Sequence, residues 1–118
     1  MKTGLSIVFV LTFIVILLFV SFANAEFAIK DYDNLKDVGW FRTYITGVGV
    51  GTTWANTELQ SRGQPPLYCL PGKLVLETQN YMRILQGSIE KHKDIIKLDT
   101  PVEMLLLEGL METFPCKK

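Results

Sequence analysis

Two cysteines and one histidine carry the sharpest chemistry in this chain, and their neighbours decide what that chemistry is. Neither Cys69 nor Cys116 stands in a Cys-x-x-Cys pair or beside a histidine, the settings that activate a thiolate or hold zinc. An even count in an oxidising compartment reads instead as one disulfide. About 46 residues separate the two, so a bridge stabilises by roughly 4 kcal/mol through the entropy it removes from the unfolded chain. His92 lies among Lys91, Lys93 and Asp94, where a cation suits the end of a helix. As a general base it would need a nucleophile and an orienting group, and no such set is recognisable. An enzyme is therefore not expected, nor is a metal or a cofactor. Gly47, Gly49 and Gly51 do not form a dinucleotide-binding turn, since the spacing is wrong and no strand-turn-helix surrounds them.

The compartment is read from the N-terminus. Lys2 precedes an apolar run from Leu5 to Phe22, followed by Ala23-Asn24-Ala25, the small-x-small pattern of a signal-peptidase site. Residues 1–25 are thus expected to be a signal peptide cut after Ala25, and 26–118 the working domain. The run approaches the length of a membrane-spanning helix, so an uncleaved N-terminal anchor is the alternative. Both readings place the domain outside the cytoplasm, in the periplasm, with the membrane involved only through the leader. Twelve basic and twelve acidic residues give a net charge of +0, without the basic excess of a nucleic-acid binder.

A single small core has to be positioned by few elements. From Asn34 to Arg62, apolar residues at positions 35, 38, 41, 45, 48, 55 and 59 recur at the helical period, with Asn34 as cap and Gly63 as stop. The three glycines inside cost about 1 kcal/mol each relative to alanine, which calls for a compensation. Gly47 and Gly51, with Ala55, share one face that a second helix or a second subunit could approach closely. The alternative is a glycine loop or β segment over 46–53 between two shorter helices. Residues 63–72, with three prolines, form a loop with Cys69 near its middle. A second helix is expected from Leu74 to Lys91. The last begins at Thr100-Pro101-Val102-Glu103, read as N-cap, first-turn proline and capping-box glutamate, and stops at Pro115. The expected fold is all-α: a small bundle of three to five helices stapled by Cys69 and Cys116.

An exported leader, a glycine-bearing helix, Tyr68-Cys69-Leu70-Pro71, a long helix, and a terminal helix closing in Phe114-Pro115-Cys116 together resemble the Rap/Tai family of immunity proteins. These are small periplasmic helical proteins that neutralise peptidoglycan amidase effectors of type VI secretion. The resemblance spans about Tyr44 to Cys116. It implies the Cys69–Cys116 disulfide, close helix packing at Gly47 and Gly51, a homodimer, and a protein partner, the amidase, whose active site is occluded. Two departures are Lys93, where relatives often have proline, and Gly109, where alanine is common. A preordered loop enters a cleft at little entropic cost, so the expected partner contacts are Gln64, Leu67, Tyr68, His92, Lys93 and Asp94. The rival functions are a periplasmic acid-stress chaperone and an envelope binding protein with no effector.

Overall fold

The computed structural model describes residues 7–15 and 26–117. Among them the chain is all-α, with α1 (7–15), α2 (Ile29–Leu35), α3 (Gly39–Ser61), α4 (Thr78–His92) and α5 (Val102–Thr113), and no strand. The side chains of α1 stay outside the core, with Phe9 72% exposed. The expected cleavage site after Ala25 lies outside the described residues. No described helix is long and apolar enough to cross a membrane.

The stretch expected as one helix from Asn34 is two. Asn34 sits in the last turn of α2 and caps nothing. The chain turns over Lys36 and Asp37, where the Lys36 N–H donates to the Tyr32 carbonyl at 2.8 Å and the Val38 N–H to the Leu35 carbonyl at 2.8 Å. Apolar spacing does not register this turn, because Leu35, Val38 and Phe41 all reach the core on either side of it.

Residues 46–53 are helix throughout, which sets aside the loop or β alternative. Threonine hydroxyls satisfy the helix locally: Thr46, Thr52 and Thr53 donate to the carbonyls four residues back, at 2.8, 2.7 and 3.0 Å. Tertiary packing supplies the compensation for the glycines, and it does so at one of them. A Cβ on Gly49 would stand 2.3 Å from the Tyr81 ring, so the α3–α4 crossing requires hydrogen there. Gly47 and Gly51, expected to carry the close approach, have nothing within 4 Å of a Cβ. Among the described residues they therefore pack against no helix, since the helical period turns them away from α4. Gly63, at φ +69°, ends α3. Its N–H donates to the Gln60 carbonyl at 3.0 Å and that of Gln64 to Leu59 at 2.9 Å, the paired bonds of a Schellman stop.

The core gathers Phe41 and Ile45 from α3, Tyr81 and Leu85 from α4, and Val102, Leu105, Leu106 and Leu110 from α5. Each fully buried apolar side chain of this size contributes about 1.5–3 kcal/mol of burial free energy. Gly109 sets how closely α5 lies on α4: an added Cβ would meet Ile84 Cγ2 at 2.8 Å and the Ile84 carbonyl at 3.0 Å. An alanine at this position would overlap Ile84. Helix α4 begins at Thr78 rather than Leu74, and the Asn80 side chain accepts from the Glu77 N–H at 2.8 Å to fix that start. Leu74 and Val75, which precede the helix, are exposed.

Thr100 does not cap α5. The first helical N–H, that of Val102, donates at 2.8 Å to the carbonyl of Phe27, a residue distant in sequence. Ile29 and Lys30 donate to the carbonyls of Thr100 and Leu98 at 3.1 and 3.0 Å, so the start of the domain straps the turn before α5. Phe27 packs on Trp40, Phe41 and Tyr44 with ring centroids 5.5, 5.6 and 5.0 Å away. Glu103 does not close a capping box either. It accepts the Tyr44 hydroxyl and, at 3.4 Å, the Phe27 N–H. Burial of the Tyr44 hydroxyl and this bond to Glu103 push its pKa up to about 12.

Candidate functional site

The irregular segment between α3 and α4 is held from three directions. The Cys69–Cys116 disulfide joins it to the residues after α5, with Cα atoms 4.9 Å apart. The Cys69 N–H donates to the Phe114 carbonyl at 2.8 Å, which aligns the two backbones at the bridge. Asn56 of α3, buried, reaches into the loop with both ends of its amide: Nδ2 donates to the Tyr68 carbonyl at 2.7 Å, and Oδ1 accepts the Leu67 N–H at 2.7 Å. An amide can both donate and accept, and here it substitutes for a backbone ladder that a proline-rich loop cannot form.

Among the described residues, Tyr68 is the largest fully buried side chain. Its hydroxyl lies 3.1 Å from that of Thr53, and burial raises its pKa against the opposing effect of that hydrogen bond. The expectation that Tyr68 anchors a partner is therefore corrected. In an apolar small domain an aromatic ring is worth more inside the core than on a loop surface, and the disulfide holds the backbone where the ring can reach inward.

Gln64 and Leu67 remain on the outside of the clamped loop, Leu67 44% exposed. A groove of about 650 Å³ lies at the disulfide, along Cys69, Pro71, Phe114 and Pro115. The second group of expected contacts splits. Lys93 and Asp94 are exposed in the turn after α4, next to the exposed apolar side chains Ile95 and Leu98. His92 instead turns toward α5: its Nδ1 is 2.9 Å from the Ser88 carbonyl and its Nε2 is 3.5 Å from Glu112 and 3.9 Å from Glu108. Among the described residues, no hydrogen bond or ion pair links Gln64 or Leu67 to Lys93 or Asp94, so the six expected contacts do not form one bonded cluster.

Asn56 was missed by sequence reasoning, although a signal was present. It falls on the face of α3 that carries Phe41, Ile45 and Gly49, and a polar residue in an apolar register has to meet a polar partner. Glu103 was seen but given a local role, because its long-range partners Tyr44 and Phe27 have no signature in spacing.

The clamped loop carries a hydrophobic side chain, Leu67, and an amide, Gln64, on its exposed side. In comparison with known proteins, no family model, no curated protein and no solved structure matches this chain.

Proposed function

We propose that this chain is a periplasmic immunity protein, exported by residues 1–25, that binds a peptidoglycan amidase effector of type VI secretion and blocks its active site. The resemblance in order and spacing of Tyr68-Cys69-Leu70-Pro71 and Phe114-Pro115-Cys116 motivates the reading. The observation that supports it best is the loop at 63–72, fixed by the disulfide, by Asn56 and by the buried Tyr68, with Gln64 and Leu67 left on its surface. A segment ordered before it meets a cleft avoids about 0.5–1.5 kcal/mol of ordering cost per immobilised side chain, which appears directly as affinity. Lys93 and Asp94 form a polar flank in which Ile95 and Leu98 offer apolar contact.

The test is whether an amidase is encoded beside this gene and is inhibited by the protein, measured as release of peptide from purified cell-wall sacculi. The purified protein is expected to bind it and stop turnover. Leu67→Ala and Gln64→Ala are expected to weaken inhibition with unchanged circular dichroism, and Lys93→Ala or Asp94→Ala to act more weakly. No inhibition by the wild-type protein would refute the function; full inhibition by all four variants would refute the chosen contacts while leaving the function standing.

A homodimer belongs to the same reading. The face of α3 that bears Gly47, Gly51 and Ala55 is exposed, with Val50 and Trp54 beside it. Light scattering is expected to report twice the chain mass; a monomer at micromolar concentration would remove this part.

A further inference from the structure

Where α5 lies on α4, three side chains bring metal-binding atoms together. Glu108 and Glu112 are one turn apart on α5, on one face. His92, at the end of α4, points its Nε2 at both, 3.5 Å from Glu112 Oε1 and 3.9 Å from Glu108 Oε1, and the three ligand atoms all lie within 4.8 Å of one another. Ligands of a tetrahedral zinc ion held at about 2.0–2.1 Å are themselves roughly 3.3 Å apart. The His92–Glu112 separation is close to that edge, and rotation of the half-exposed Glu108 side chain covers the rest.

The tautomer of His92 favours a ligand. A carbonyl oxygen only accepts, so the 2.9 Å contact between Nδ1 and the Ser88 carbonyl places the ring proton on Nδ1 in the neutral imidazole. The Nε2 lone pair then faces the carboxylates, the arrangement in which a backbone carbonyl orients a metal-binding histidine. A groove adjoins Glu112, one of the three residues. The Ser88 hydroxyl is buried with no hydrogen-bond partner, and Ser88, Gly109 and Glu112 line one groove of about 250 Å³.

We propose that His92, Glu108 and Glu112 form a binding site for a divalent transition-metal ion of the zinc class. One imidazole and two carboxylates suit zinc, copper or nickel, while a nitrogen donor argues against calcium and magnesium. Three protein ligands leave coordination positions for water. The Lys91 ammonium, 2.8 Å from Glu112 Oε1, occupies part of the site and has to be displaced, so it limits affinity. Spacing in the sequence does not suggest the site, because its ligands come from two helices that meet only in the folded chain.

The test is titration of the tag-free protein with Zn²⁺, with Co²⁺ as a spectroscopic probe and Mg²⁺ as control. Saturable uptake of one Zn²⁺ per chain is expected, with Co²⁺ giving the visible absorption of a low-coordinate site and Mg²⁺ no response. His92→Ala and Glu112→Gln are each expected to lower affinity on the order of tenfold or more. Lys91→Met, which removes the competing ammonium and no ligand, is expected to tighten binding. Glu112→Gln alters an exposed side chain and keeps the test open if His92→Ala does not fold. Absence of saturable Zn²⁺ binding, equal binding in Glu112→Gln, or weaker binding in Lys91→Met would each overturn the proposal.

Discussion

The Asn56 amide donates to the Tyr68 carbonyl at 2.7 Å, and this bond between a helix side chain and a loop backbone holds the middle of the 63–72 segment to α3. It is buried, and the same amide accepts the neighbouring Leu67 N–H. Replacing Asn56 by alanine leaves a carbonyl and an N–H without partners, at a cost of about 1–3 kcal/mol for each group left buried. Asn56→Ala is expected to lower stability in urea by at least about 2 kcal/mol and to speed hydrogen exchange at the Leu67 amide. Unchanged Leu67 exchange would show that the disulfide alone orders the loop.

The bridge itself joins two residues 47 positions apart in the chain. Its removal by Cys69→Ser with Cys116→Ser is expected to cost about 4 kcal/mol, because the unfolded chain regains the entropy of that loop. Thermal unfolding with and without reductant measures it. A wild-type midpoint insensitive to complete reduction would contradict the expectation.

The glycines divide by what surrounds them. Gly47→Ala and Gly51→Ala add a methyl group in open space within a helix, and each is expected to stabilise the monomer by about 0.5–1 kcal/mol. Gly49→Ala and Gly109→Ala are expected to destabilise by about 1–3 kcal/mol, since their methyl groups would overlap Tyr81 and Ile84. Chemical denaturation of the four variants separates the pairs, and a common sign for all four would invalidate the packing described.

Tyr44, with a pKa of about 12 in the fold, keeps its proton where an unfolded tyrosine, near 10, has lost it. The stability it contributes is whole below about pH 10 and is lost as the pH rises through about 12. Tyrosinate absorbance is expected to show late titration, and Tyr44→Phe to reduce its amplitude near pH 12 by one tyrosine. If the late amplitude is unchanged by the substitution, the high pKa belongs to another tyrosine.

Much of the fold was legible before the structure. Three prolines excluded helix from 63–72, and two cysteines left one pairing to make. The apolar period located α3, α4 and α5 to within a few residues. It did not show the turn at Lys36 and Asp37, which keeps Leu35, Val38 and Phe41 on the core side. Of the candidate surface, Gln64, Leu67, Lys93 and Asp94 are exposed as expected, whereas Tyr68 is inside.

What sequence alone determined is what local chemistry determines: helix period, proline breaks, and a covalent partner chosen from one candidate. Tertiary structure decided which glycine meets a ring, that Glu103 holds Tyr44 and Phe27 instead of its own helix, and that His92 faces two glutamates. Periodicity states which residues share a face but not what lies opposite. That second fact belongs to contacts between residues far apart in the chain, whose geometry exists only once the helices have packed.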